Sequence, residues 1–236
     1  MTDPLAGFHR VLFVHAHPDD ESLATGGTIA ALRARGADVL VVTCSRGEAG
    51  EVVAGPLKAY QGTPLLAGLR EAELARALAA LGAGMPRFLG ESAGLAFSDS
   101  GMRWGADGRA TAADDAPANA LALAPPALLV GLLGREFAEF QPDLVVGYDL
   151  AGGYGHPDHV RATLIARGAA AARGIRFAEI VEADAPGAVA VPIDLAAKRR
   201  ALAAHESQLT LDETGYTLSG GQHRTISATE HLRFVG

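Results

Sequence analysis

Apolar positions in this chain come in blocks, and the blocks change period. RVLFVHA carries a short, unbroken β-rich apolar run, the segment from about Thr25 to Arg35 has the pattern of a helix closed by Gly36, and ADVLVVTC is a second apolar run. Strand, helix and strand within about 40 residues predict a right-handed βαβ unit and a parallel sheet. The pattern then recurs. Leu69–Leu81 is an Ala/Leu/Glu-rich helix, PRFLG a short strand, Ala127–Phe140 a helix and DLVVGYD another buried strand. HVRATLIARGAAAARG follows as a helix and IRFAEIVE as an extended segment. The expected fold is α/β, a Rossmann-like three-layer sandwich with a mostly parallel sheet, with residues 1–236 as a single domain.

Two stretches break the pattern. Residues 48–64 and 98–126 are long and rich in Gly, Ala, Asp and Pro, which predicts loops over the sheet edge, where function concentrates. From about Ala188 the tail offers a strand (AVAVPI), a helix over Leu195–Gln208 and polar residues suited to a last hairpin.

Composition narrows the function. With 49% hydrophobic residues the chain can bury a sizeable core, and Asp plus Glu (27) outnumber Lys plus Arg (20), giving a formal charge of −7. A broad basic surface for nucleic acid is therefore not expected, and a small-molecule partner fits better. Cys44 is the only cysteine, so an internal disulfide framework and a multi-thiolate metal site are excluded and any metal must be held by His, Asp or Glu. The N-terminal residues have no charged segment followed by a long apolar run, and no later stretch has the length of a membrane span, so a cytoplasmic protein is expected. Exposed Leu and Ala on several helices would permit a homo-oligomer.

The candidate chemistry lies in two clusters. HAHPDDES comes directly after the first predicted strand and before the first helix, at the carboxyl end of a strand, where open α/β sheets bind ligands. A nucleotide-binding fold would place G-x-G-x-x-G here; this chain supplies His15, His17, Asp19, Asp20 and Glu21. GGYGHPDH follows DLVVGYD in the same way. The two H-P-D clusters converge at one rim if their strands are neighbours, and imidazole with carboxylate is the set zinc takes when thiolates are absent. A lone buried His or Asp is more often a structural or capping group than a ligand; two like clusters at two strand ends shift the balance toward a site.

HAHPDDES with GGTIA after it, VVTCSRGEAGE and GGYGHPDHV resemble the PIG-L/LmbE-like family of zinc-dependent N-acetylglucosaminide deacetylases, from Val11 to about Gln208, in the style of the branch holding the mycothiol-pathway deacetylase and conjugate amidase. The resemblance implies His17, Asp20 and His159 as zinc ligands and Asp19 as the general base that activates water. It implies His156 opposite, its imidazolium stabilising the oxyanion or protonating the amine, with Asp158 holding that ring, and Tyr154 as a mobile phenol reaching the carbonyl oxygen. Glu51, Arg70 and Asp99 match positions that contact sugar hydroxyls, which implies an amino-sugar substrate. Two His and one carboxylate equally suit Fe2+, so Zn2+ rests on the resemblance. His205 and Gln208 sit three apart on one predicted helical face, suited to back the site or to lie on a surface helix. The stretch after the HPDH helix is short beside the mycothiol-pathway enzymes, which leaves the aglycone open. The implied reaction is hydrolysis of an N-acetyl group; the rivals are an amidase of the same fold acting on a larger acyl group and a non-catalytic sugar-binding module.

Overall fold

The computed structural model describes residues 3–106 and 110–235. The two apolar runs that open the pattern become β1 (Arg10–His15) and β2 (Asp38–Thr43), joined through α1 (Asp20–Ala24) and α2 (Gly26–Ala34). Next come α3 (Leu65–Ala80) and a two-residue β3 (Arg87–Phe88). The second long loop contains a small hairpin, β4 (Arg103–Trp104) with β5 (Ala110–Thr111). The chain returns through α4 (Pro126–Phe140), β6 (Leu144–Tyr148), α5 (Pro157–Ala171) and β7 (Arg176–Ile180).

The main sheet has seven strands in the order β3-β2-β1-β6-β7, followed by two strands from the C-terminal part of the chain. From β3 to β7 every pairing is parallel. Parallel strands covered on both faces read as continuous apolar runs, and β6 is buried along its whole length. The period-2 alternation of β1 assigns its side chains to two cores. Val11 and Phe13 pack with Ile29, Leu74, Leu78 and Ala201 on the layer formed by α2, α3 and α6 (Leu195–Ala204). Leu12 and Val14 pack with Leu133, Phe137, Ile165 and Ala166 on the layer formed by α4 and α5. These are the three layers the sequence predicts.

The chain builds outward from β1 to β2 and β3 on one side, then crosses to start β6 on the other. The strand order therefore reverses between β1 and β6, which are paired in register from Val11 with Leu144 to Phe13 with Val146. Such a reversal opens a crevice at the carboxyl ends of the two strands. His15 ends β1 and Tyr148 ends β6, so both H-P-D clusters start at this crevice.

The tail departs from expectation. The helix expected to reach Gln208 stops at Ala204, because His205, Ser207 and Gln208 turn inward to hydrogen-bond Glu21 and Glu73. AVAVPI supplies β8 (Val189–Val191). The polar stretch forms a separate three-stranded antiparallel sheet, β9 (Leu209–Leu211), β10 (Gly215–Leu218) and β11 (His223–Thr225). β12 (Glu230–Val235) is no hairpin arm: it runs antiparallel between β7 and β8 in the main sheet. Glu230 on it accepts the backbone N–H groups of Gly27 and Thr28 at the start of α2, 3.0 and 2.8 Å away, and pairs with the buried Lys198 at 2.6 Å.

Candidate active site

Only four residues, Ala16 to Asp19, separate the end of β1 from the first turn of helix, and together with that turn they carry much of the chemistry. His15 and Glu21 point away from the crevice. His15 is fully buried, its Nε2 2.9 Å from Thr25 Oγ1 and its Nδ1 3.3 Å from the Tyr148 hydroxyl. His17, Asp19 and Asp20 line the crevice instead. The Asp20 carboxylate accepts the His17 backbone N–H at 2.8 Å. Its oxygens also lie 3.5 Å from His17 Nδ1 and 3.3 Å from His159 Nε2, so Asp20 stands between one imidazole from each cluster.

The second cluster is set by the start of α5. Gly152, Gly153 and Gly155 all have positive φ, and a Cβ on Gly152 would lie 2.7 Å from the Val160 nitrogen, so that turn requires glycine. Pro157 occupies the first turn of the helix, where its missing N–H costs nothing. His156 is the N-cap, its Nδ1 accepting the Asp158 backbone N–H at 3.1 Å. Asp158 was expected to hold the His156 ring, and it is the main-chain N–H of Asp158 that meets it. The carboxylate faces the other way, 3.3 Å from His17 Nε2 and accepting the Ser100 N–H (2.8 Å) and hydroxyl (2.5 Å). Its main chain reaches His156, because the first N–H groups of a helix need an acceptor.

His17, His156 and His159 bring ring nitrogens within 4.8 Å of one another, and His17, Asp99 and Asp158 do the same with their donor atoms. His159 Nε2 is buried and makes no hydrogen bond, the Asp20 oxygen 3.3 Å away being out of hydrogen-bonding alignment. An orphaned imidazole nitrogen aimed into a gap lined by carboxylate and imidazole fits a divalent cation, whose absence would leave a buried polar atom unpaired. Behind it, Tyr148 stacks on the His159 ring at 4.2 Å and fixes its plane.

The charges follow from burial and neighbours. Burial raises the Asp19 carboxyl to about 7, and the Asp20 charge adds to the shift. Burial opposes a charge on His17, but Asp99 and the bonds to Asp158 and Asp20 outweigh it and hold this imidazole well above its ordinary range. Burial, then the neighbouring His17 and His159, push His156 down to about 4. These surroundings favour the neutral ring over the imidazolium expected for His156. Because Nδ1 accepts from the backbone, its proton sits on Nε2. Tyr154 is 61% exposed, and its ring centroid lies 6.0 Å from that of His156 and 5.1 Å from that of His159. Partial burial and the surrounding carboxylates of Asp20, Asp19, Asp99 and Asp158 raise its hydroxyl, which is a proton donor at neutral pH.

The remaining expected residues divide. Asp99 is buried at the cleft, its Oδ1 3.7 Å from His17 Nε2 and accepting the Gly101 N–H at 2.8 Å. Glu51 is exposed on the cleft wall. Arg70 lies inside α3 at the cleft wall, 4% exposed, donating to the carbonyls of Gly47 (2.5 Å) and Glu51 (3.0 Å). The cleft, about 660 Å³, also takes in residues that no motif announced, Trp104 from the small hairpin and Gln222 and Arg224 from the β10–β11 region. Ser100, which anchors Asp158, likewise carries no motif of its own.

Among curated relatives, a 1D-myo-inositol 2-acetamido-2-deoxy-alpha-D-glucopyranoside deacetylase of Kineococcus radiotolerans is 37% identical over 279 aligned positions, covering 96% of this chain and 77% of that protein. The enzyme of that name from Rhodococcus opacus is 38% identical, covering 96% and 91%. Both alignments exceed the 236 residues of this chain, so the relatives carry insertions within the matched span. The zinc-inhibited form of the teicoplanin deacetylase Orf2 superposes with a TM-score of 0.60 over 84% of each chain at 22% identity, a likeness of fold alone. The model of the PIG-L GlcNAc-PI de-N-acetylase family matches residues 12–170, both H-P-D clusters included, and the chain belongs to that family.

Proposed function

We infer that this protein is a metal-dependent hydrolase that removes the N-acetyl group from an N-acetylglucosamine-containing small molecule. The observation that carries the reading is the meeting, at the β1/β6 reversal, of His17, Asp20 and His159, whose buried Nε2 makes no hydrogen bond, with Asp19 beside them. His17, Asp20 and His159 would hold the metal. His156 is left out because its Nδ1 lone pair is engaged by the Asp158 N–H and its Nε2 carries the proton. When bound, a divalent ion such as Zn2+ or Fe2+ supplies Lewis-acid polarisation of the amide carbonyl and acidifies water.

This chain's own residues do the rest. Asp19, with its carboxyl raised toward neutrality, takes a proton from the attacking water and returns it to the departing amine, so water and amide yield acetate and a free amino sugar. The neutral His156 Nε2–H and the Tyr154 hydroxyl are the donors suited to the oxyanion that develops on the carbonyl oxygen. Asp158, anchored by Ser100, fixes the His17 ring from the side opposite Asp20.

Glu51 and Asp99 suit the hydroxyls of the glucosamine ring. The outer cleft, walled by Trp104, Gln222 and Arg224, has room for a second ring, and the two relatives' names place their reaction on an inositol glycoside. A polyhydroxylated ring as aglycone is the reading we adopt. Acetate release from a panel of N-acetylglucosaminides, before chelation, after it and after metal is restored, tests the assignment. Acetate that appears only with metal supports it. A protein that binds one metal yet frees no acetate from any member, while freeing a larger acid from N-acyl glucosaminides, would replace it with the amidase.

A further inference from the structure

Behind the cleft lies a buried polar network to which the chemistry above gives no part. Asp19 has φ 129° and ψ −31°, and is one of two non-glycine residues with positive φ among the described residues. An L residue is held in such a conformation only where its surroundings over-determine it. Its carbonyl accepts the N–H groups of Ser22 (3.0 Å) and Leu23 (2.9 Å), and its own N–H donates to Glu21 Oε2 at 3.0 Å. The Glu21 carboxylate is fully buried, and its other oxygen meets the Ser22 hydroxyl at 2.5 Å and His205 Nε2 at 2.8 Å.

His205 is also fully buried and comes from just beyond α6, 184 positions along the chain. Its Nδ1 lies 3.1 Å from the side-chain nitrogen of Gln208. Glu73 on α3 takes that nitrogen at 3.3 Å and the N–H and hydroxyl of Ser207, each at 2.7 Å. A buried carboxylate is costly unless it is fully bonded, and capping one N–H at a surface turn needs no such arrangement, since water would serve.

We propose that Glu21 and His205 are positioning residues, which lock the Asp19 main chain in its positive-φ conformation and so aim its carboxylate at the attacking water. The role of Asp19 as base rests on the deacetylase reading; the lock itself does not. His205→Leu removes the bond to Glu21 at similar volume, whereas His205→Gln returns an N–H near the position of Nε2. In the metal-loaded protein, His205→Leu should lower kcat on the order of 100-fold with KM within about twofold and one metal retained, the penalty expected of a misplaced catalytic group. His205→Gln should recover most of it. In an Asp19→Ala background, His205→Leu should lower the residual rate no further, because coupled residues do not add.

Independently of turnover, Asp19 N–H exchange should accelerate in His205→Leu, and a crystal structure of that variant should show Asp19 at negative φ. Unchanged φ and protection, or a rate loss that adds fully to that of Asp19→Ala, would overturn the proposal. If His205→Leu does not fold, Glu21→Gln carries the same comparisons, with an expected loss of about tenfold from exchanging a charged acceptor for a neutral one. A wild-type protein that frees no acetate, but whose Asp19 is released in His205→Leu, would defeat the deacetylase reading and leave the lock standing.

Discussion

Arg70→Lys separates two roles open to this residue, the substrate contact expected from the sequence and the support of the loop that carries Glu51 seen in the structure. The guanidinium donates to two carbonyls, Gly47 and Glu51, from a buried position, and a Cβ on Gly50 would lie 2.2 Å from its Nη1, so the loop is wrapped closely around it. An ammonium is a point donor without the fork, and it keeps one of the two bonds at most. Losing one charged hydrogen bond costs about 1.5–3 kcal/mol, which corresponds to roughly 10- to 150-fold in an equilibrium constant. The loop has further ties, from Val53 N–H to the Ser207 carbonyl and from Val52 N–H to Gln61, which place the effect near the lower limit. Steady-state kinetics should show KM raised about tenfold, with kcat little changed and metal content intact. In the double variant with Glu51→Ala, the second substitution should add almost nothing, because the loop has already released Glu51. Full additivity would mean that Arg70 binds substrate directly, and an unchanged KM would mean that the two carbonyl bonds do not hold the loop.

Other consequences are as specific. Asp19→Asn should retain one metal and lose about 100- to 10,000-fold in kcat, as removal of a general base does; loss of metal, measured by atomic absorption, would make Asp19 a ligand. The base works only when deprotonated, so kcat/KM should climb with pH through its ionisation. Burial and then Asp20 raise that carboxyl to about 7, and a cation on Asp20 would cancel the second contribution, so the acid limb should fall between the ordinary value of about 4 and about 7. A limb at or below 4 would contradict the burial. Lys198→Met strands Glu230 without its buried cation and should destabilise the fold by about 3–5 kcal/mol in urea titrations; a change under 1 kcal/mol would show the pair to be dispensable. Trp104→Ala should lower kcat/KM for a two-ring glycoside while sparing free N-acetylglucosamine, and equal losses on both would remove Trp104 from the aglycone subsite.

Local signals carried much of this site. HAHPDDES and GGYGHPDH each follow an apolar run that could only be a buried strand, so their position at strand ends was readable from order alone. Their meeting was not, because the pairing of β1 with β6 joins segments more than 130 residues apart and leaves no trace in either. The same holds for the bond between His205 and Glu21, which ends the last helix early in order to be made. Residue type also left the side chains with two uses undivided. Arg70 suits sugar hydroxyls and backbone carbonyls equally, and in the fold it lines the cleft while donating to the carbonyls of Gly47 and Glu51; the Asp158 carboxylate sits beside His156 in sequence yet turns to His17 and Ser100, while its N–H serves the helix cap.

The placement of β12 bears on how the chain acquires its shape. Glu230 reaches the start of α2 across 203 residues, and β8 has no sheet neighbour other than β12. During synthesis the first half of the sheet can assemble with the N–H groups of Gly27 and Thr28 still open to water, and β8 must wait unpaired until residues 230–235 have left the ribosome. Contacts of such long sequence separation form late. The intermediate that waits for them exposes the edge of β7, a template for pairing with another copy. Yield in the cell should therefore be more sensitive to changes in this strand than its distance from the catalytic cleft would suggest.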